Sequence, residues 1–247
     1  MRHRKLFLSL LFALFALMPV IASAQTLSLD LGTQGGGSAA ARIIQLIAIV
    51  TVISLAPSIL VMMTSFTRVI IVLSFLRTAI GLQQTPPNQV LISLALFLTA
   101  FIMAPVFKQS YDNGILPLIE ERISEEEALE KTSAPFHAFM MTHVRDKDLK
   151  LFMDMDPSIK LEKPEDTPFR VLIPAFMISE LKRAFEIGFL IFLPFLVIDM
   201  LIASVLMAMG MMMLPPVLIS LPFKLIFFVL IDGWYMLAGS LVRSFGV

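Results

Sequence analysis

Asp199 and Lys224 stand deep inside apolar stretches of the chain, where an ionised side chain is hard to keep. At the centre of a membrane helix each such charge costs about 2.5–3.5 kcal/mol on insertion scales. Lys224 lies seven residues from either end of the apolar stretch 217–231, so its ammonium cannot easily reach an interface. Charges of this kind persist when they pair or face water. A pair within or between subunits would fix an assembly or line a pathway. Alternatively, the segments never meet lipid and the charges are ordinary buried polar groups. Sulfur is the second chemistry. Residues 207–213 read Met-Ala-Met-Gly-Met-Met-Met. Gly210 frees the backbone, and Pro215 and Pro216 drive the chain out of the helix. The spacing predicts a non-helical loop, hinged at Gly210, Pro215 and Pro216, that presents Met211, Met212 and Met213. Unbranched, polarisable thioethers conform to many shapes. A ring of them from several copies would make a soft apolar constriction. Methionine also fills gaps in ordinary cores, and composition leaves both readings open.

Residues 174–189 carry a third pattern. Ile178, Leu181, Phe185, Phe189 and Phe192 recur at helical spacing and form one apolar face. Glu180 with Arg183, and Lys182 with Glu186, are spaced to pair on the other side. These charges either face solvent or, through Glu180 or Arg183, meet a neighbouring subunit. Ser204 and Ala208 add a small-xxx-small spacing that permits close helix approach.

Other chemistries find little support. The chain has no cysteine, which excludes disulfides, thiol catalysis and cysteine-held clusters. Its histidines are His3, His137 and His143. The last two are six apart, and no Glu or His completes a zinc pattern. Nineteen basic and 19 acidic residues leave a net charge of zero, so no basic footprint for nucleic acid exists. An aspartyl intramembrane protease needs two embedded acids, but Asp232 stands at the end of a segment. No catalytic residue, metal or cofactor is expected.

The elements that must position these groups are apolar. Of 247 residues 57% are hydrophobic and 15% charged, with mean hydropathy +0.87. Soluble domains carry about 25% charged residues, and a soluble surface left this apolar would aggregate. The sequence therefore describes a membrane or membrane-associated protein. Arg2, Arg4 and Lys5, an apolar run over 6–21, and Ala22-Ser23-Ala24 have the layout of a secretory signal peptide. Cleavage after Ala24 is expected, with Ala22 and Ala24 at the positions the peptidase reads; an uncleaved anchor is the alternative. Residues 25–41, polar and glycine-rich, read as a flexible tether.

Four apolar stretches follow, at 43–63, 90–107, 187–207 and 217–231. Each is long enough, or nearly so, for a hydrocarbon layer of about 30 Å. Residues 42–107 and 171–247 are expected to form two helical hairpin regions, the second carrying the methionine loop. Between them, 108–170 holds 14 acids and 9 bases and reads as short amphipathic helices and loops. Ser124 followed three residues on by Glu127 marks a helix start. Arg68 and Arg77, with no acid in 64–89, place that linker in the cytoplasm and the acidic 108–170 segment outside. Lys182 and Arg183 fit this topology poorly.

Residues 63–105 (MTSFTRVIIVLSFLRTAIGLQQTPPNQVLISLALFLTAFIMAP), 174–188 (PAFMISELKRAFEIG) and 215–224 (PPVLISLPFK) resemble the FliP family, export-gate proteins of the bacterial flagellar type III secretion apparatus. The resemblance runs from about residue 40 to the end of the sequence. It implies an all-α fold of kinked, membrane-associated helical hairpins. Several copies, five in the family, assemble with FliQ and FliR into a right-handed helical, cone-shaped pore complex. Much of that cone stands above the bilayer of the inner membrane, on the periplasmic side within the flagellar basal body, which would relieve the cost of the embedded prolines and charges. The resemblance places a pore gasket on Met211, Met212 and Met213, and assembly contacts on Glu180, Asp199 and Lys224. It implies passage of unfolded flagellar subunits, driven by an associated ATPase or the proton gradient. The equivalent gate of a virulence secretion system and, more remotely, a small-solute channel using Asp199 and Lys224 are the alternatives; the signal peptide favours the flagellar branch.

Overall fold

The computed structural model describes residues 39–82, 84–155, 166–211 and 213–246. The expected cleavage site at Ala22 and Ala24, most of the tether, and Met212 lie outside the described residues. Contacts divide the chain into two units, Met1–Ile49 and Val50–Val247. In the first, residues 39–49 are described and all are helical, so the last three residues assigned to the tether begin a helix.

Among the described residues every regular element is helical. In order they are α1 (Ala39–Met62), α2 (Phe66–Ile80), α3 (Asn88–Ser110), a π-helical turn (Tyr111–Ile115), α4 (Leu116–Ile119), α5 (Glu125–His143), α6 (Asp146–Met155), α7 (Phe169–Ala208), α8 (Pro216–Leu230) and α9 (Gly233–Arg243). α3 runs through the π turn into α4, giving 32 helical residues from Asn88 to Ile119. α7 has 40 residues and contains both Pro174 and Pro194. At 1.5 Å per residue these are about 48 and 60 Å long, well over the thickness of a hydrocarbon core. Both are apolar enough to cross a membrane, and α8 with α9, which meet at 62°, make a third candidate span.

The helices do not respect the limits drawn from composition. The boundaries at 107/108 and 170/171 fall inside α3 and α7. The apolar stretch 187–207 and the patterned segment 174–189 are parts of one helix. The polar stretch does hold short helices, and Ser124 caps α5 by accepting a hydrogen bond from the Glu127 amide at 3.3 Å.

Two cores hold the second unit together. Val69, Val72, Leu73 and Leu76 of α2 recur at helical spacing and bury against Leu91 and Ala95 of α3, Ala184 and Phe195 of α7, Phe228 of α8 and Leu241 of α9. A second core joins Met103 and Val106 of α3, Phe136 and Met140 of α5, Leu149 of α6, and Leu172, Ala175 and Phe176 of α7. The α2–α7 contact is the most extensive. Its closeness depends on Gly188, where an added Cβ would lie 2.5 Å from the Phe75 ring.

Candidate functional site

The methionine loop is built by a helix termination. α7 ends at Ala208 and the chain re-enters a helix at Pro216. Gly210 adopts φ +74°. Its amide donates to the Met207 carbonyl at 3.1 Å, and the Met211 amide donates to the Leu206 carbonyl at 3.0 Å. Those two bonds form a Schellman cap, which needs a left-handed residue that glycine supplies without strain. Pro215 precedes α8 and Pro216 is its first residue, where a missing amide hydrogen costs nothing. Between the caps Met211 is 43% exposed and Met213 98% exposed. Met213 thus projects from the junction of two apolar helices almost free of the chain's own surface, while Met211 is about half covered.

The embedded charges find partners within the chain. Lys224 Nζ donates to Asp199 Oδ2 at 2.6 Å and to the Ala79 carbonyl at 3.3 Å. Ser220 donates to Asp199 Oδ1 at 2.5 Å. Lys224 is 5% exposed and Asp199 29%, so the lysine is enclosed while one side of the carboxylate stays open. The pair ties α7 to α8 and, through Ala79, to α2. Both groups of the pair thus belong to one chain.

Glu180 does not pair with Arg183. It forms a two-pronged ion pair with Arg68, 112 residues away: Nε donates to Oε2 at 2.8 Å and Nη2 to Oε1. The third nitrogen, Nη1, donates to the Ser244 carbonyl at 3.2 Å and to Ser244 Oγ at 3.0 Å. The guanidinium carbon lies 3.7 Å from the centre of the Phe245 ring. Arg68 is 1% exposed and Glu180 0%. Glu180 is buried on α7 with Phe176, Ser179 and Ala184, where Arg68 reaches it; Arg183 is half-buried, its charge acts on His143, and it has no ion-pair partner among the described residues. Lys182 and Glu186 do pair, at 3.1 Å on the surface. Burial of Arg68 also removes it as a free cytoplasmic charge, so the topology drawn from Arg68 and Arg77 loses one of its two residues. Arg77 is itself engaged with Asn88 Oδ1 at 2.6 Å.

The apolar face of Phe185, Phe189 and their neighbours is only partly covered by the chain: Phe192 packs against the first core and, like Phe185, meets the Phe75 ring edge-on. Ile178, Leu181, Phe185 and Phe189 are exposed, as are Ser204 and Ala208. Only 11% of the most apolar window of α7 is buried.

A polar pin joins the acidic segment to α7. Arg145 clamps Asp148 through Nε at 2.7 Å and Nη2 at 2.9 Å, and Ser179 donates to Asp148 Oδ2 at 2.6 Å. Burial pushes the Asp148 carboxyl up, but the bonds from Arg145 and Ser179, with the charges of Arg145 and Lys147, outweigh it and hold it below its ordinary value. Burial lowers the imidazole of His143; the bond to the Phe139 carbonyl and the charge of Glu180 oppose that, and Arg68 and Arg183 add to it. His137 meets the Thr167 carbonyl at 2.7 Å. Among the described residues no three potential metal ligands gather.

The FliP family profile matches residues 49–241. The chain belongs to the FliP family. Relatives named "Flagellar biosynthetic protein FliP" agree along most of their length. That of Caulobacter vibrioides is 59% identical over 93% of this chain and 86% of its own. That of Bacillus subtilis is 56% identical over 82% of this chain and 91% of its own, and that of Agrobacterium fabrum 51% identical over 94% and 96%. The FliP profile covers the methionine loop, Arg68, Glu180, Asp199 and Lys224. It stops short of Ser244 and Phe245. Sequence reasoning missed Arg68, Asp148 and the Ser244–Phe245 contact. A lone arginine in the first turn of a helix reads as a loop charge until its acid, over a hundred residues away, is placed beside it.

Proposed function

We propose that this chain is a subunit of the flagellar protein-export apparatus, one of several copies enclosing a conduit for unfolded polypeptide that narrows at the methionine loop. The FliP family is one of flagellar biosynthetic proteins, and this member is a membrane protein of that machinery. The observation that carries the conduit reading is the pair of exposed thioethers, Met211 and Met213, on a rigidly capped loop between apolar helices. Were these methionines gap-fillers, they would lie in the core as Met103 and Met140 do, both 0% exposed. A collar of such side chains excludes water when empty, because an apolar constriction dewets, and it yields to an extended chain because each thioether has soft torsions.

The uncovered face of α7 supports assembly. A helix with so little of its apolar window buried within the chain needs lipid or protein around it. In this reading the copies, five as the family resemblance implies, associate with FliQ and FliR as kinked hairpins in a right-handed cone at the inner membrane. The 108–170 segment stands on the periplasmic side. Asp199–Lys224 and Arg68–Glu180 fix the shape each copy brings to the assembly, and the open side of Asp199 together with Arg183 remains for contact with a neighbour. The chain performs no catalysis; the ATPase or the proton gradient supplies the work.

Replacing Met211, Met212 and Met213 with alanine in the full complex tests the collar. Assembly should persist while ion conductance of the resting complex in planar bilayers rises. Unchanged conductance in a normally assembled complex would contradict it.

A further inference from the structure

The contact of Arg68 with Ser244 and Phe245 has a geometry that the ion pair with Glu180 does not require. A two-pronged arginine–carboxylate pair satisfies two of the three guanidinium nitrogens and leaves the third nitrogen and both faces of the plane needing partners. Ser244 takes the third nitrogen through two oxygens. Phe245 covers one face, with its ring centre 3.7 Å from the guanidinium carbon. The same ring packs on Phe139, 6.0 Å away and nearly parallel, and on His143 at 5.2 Å. Phe139 in turn packs against Phe176 of α7 at 5.9 Å. One aromatic side chain therefore touches the α2 arginine and two residues of α5, and it shields the charge that holds α7.

We infer that Ser244 and Phe245 form a clasp that keeps water off the Arg68–Glu180 pair and thereby couples α5 of the acidic segment to the α2–α7 hairpin. Phe245 is a positioning residue in this account. It acts on the α2–α7 junction only through the pair it covers. A buried ion pair is stable when its desolvation is matched by complete hydrogen bonding, and it hydrates once one wall is removed. The clasp supplies that wall, so its loss opens the junction locally while the apolar cores persist. The inference stands on contacts within one chain and does not depend on the conduit reading.

The absence of cysteine from the sequence makes the test clean. Ser65, three residues before Arg68, is wholly buried and its hydroxyl has no hydrogen-bond partner among the described residues, so Ser65→Cys is a nearly isosteric reporter at this junction. Ala95→Cys, in the fully buried part of α3, reports on the wider apolar core, to which Phe245 also belongs. Labelling of the full chain in native membranes with a membrane-permeant maleimide should be slow at both positions. Adding Phe245→Ala should speed labelling of the Ser65→Cys thiol by about tenfold or more, as expected for local opening, and leave the Ala95→Cys thiol slow. Phe245→Tyr, which keeps the ring face, should restore slow labelling. Equal rates at Ser65→Cys with and without Phe245→Ala would overturn the clasp. So would a parallel rise at both thiols, because that is general loosening and not a local device.

Discussion

Arg68 and Glu180 show how much a single residue's partner matters. Alone, each would be an uncompensated charge in the interior. Glu180→Gln removes the anion and leaves a buried guanidinium, which should destabilise the chain by about 3–5 kcal/mol. Replacing both with apolar residues of similar volume, Arg68→Met with Glu180→Leu, should cost clearly less. Thermal unfolding in detergent, comparing the single and double variants, checks the ranking. His143 predicts a pH dependence. Its folded imidazole sits below the ordinary value of 6.5, chiefly through burial. The unfolded chain thus binds a proton that the folded chain refuses, and stability rises with pH. The contribution is complete above about 6.5 and is lost as pH falls from there through the folded value. Asp148 adds a loss of the same sign at lower pH, as pH falls from 3.8 toward its depressed folded value. His143→Asn, whose amide can still reach the Phe139 carbonyl, should flatten the upper window; denaturation midpoints from pH 7.5 to 5 read it directly.

Among the elements, α7 organises the molecule. It carries the buried Ser179 and Glu180, the half-buried Asp199, a largely exposed apolar surface, and the loop at its end. Two features make that arrangement work: the close approach to α2 at Gly188 and the left-handed cap at Gly210. Gly188→Leu should drive α2 and α7 apart, because no small movement clears the Phe75 ring. Gly210→Val places a β-branched residue at φ +74° and should cost about 1–2 kcal/mol, displacing the loop before it disturbs the cores. Limited proteolysis at 209–214 checks that difference. Local features of these elements were legible in the sequence. The Ser124 cap and the break at Gly210 to Pro216 each depend on a few neighbouring residues, so spacing alone reveals them. The length of α7 was not, because Pro174 and Pro194 normally argue for breaks, yet both lie inside one continuous helix. Nor was the identity of its buried face: Ile178, Leu181 and Phe185 are the more apolar set, yet small residues around Glu180 make the close contact.

For the whole molecule the decisive property is unfinished burial. The second unit has two real cores and still leaves α7 and α8 clad in exposed Phe, Leu, Met and Val. Composition made membrane residence legible, since that much apolar surface has no place in water. It did not reveal which acid meets which base, as the partners of Arg68 and Lys224 lie 112 and 25 residues away. The central claim is that copies of this chain surround a passage and that the loop lines it. The most direct measurement uses Met213→Cys in a chain otherwise free of cysteine, assembled in cells and loaded with an export substrate stalled by a folded plug and carrying one cysteine in its extended region. The account predicts a disulfide between that substrate and the Met213→Cys position, dependent on the substrate occupying the complex. Failure to form it, with the same thiol instead reacting only with lipid-borne probes, would place the loop on the outside and contradict the account.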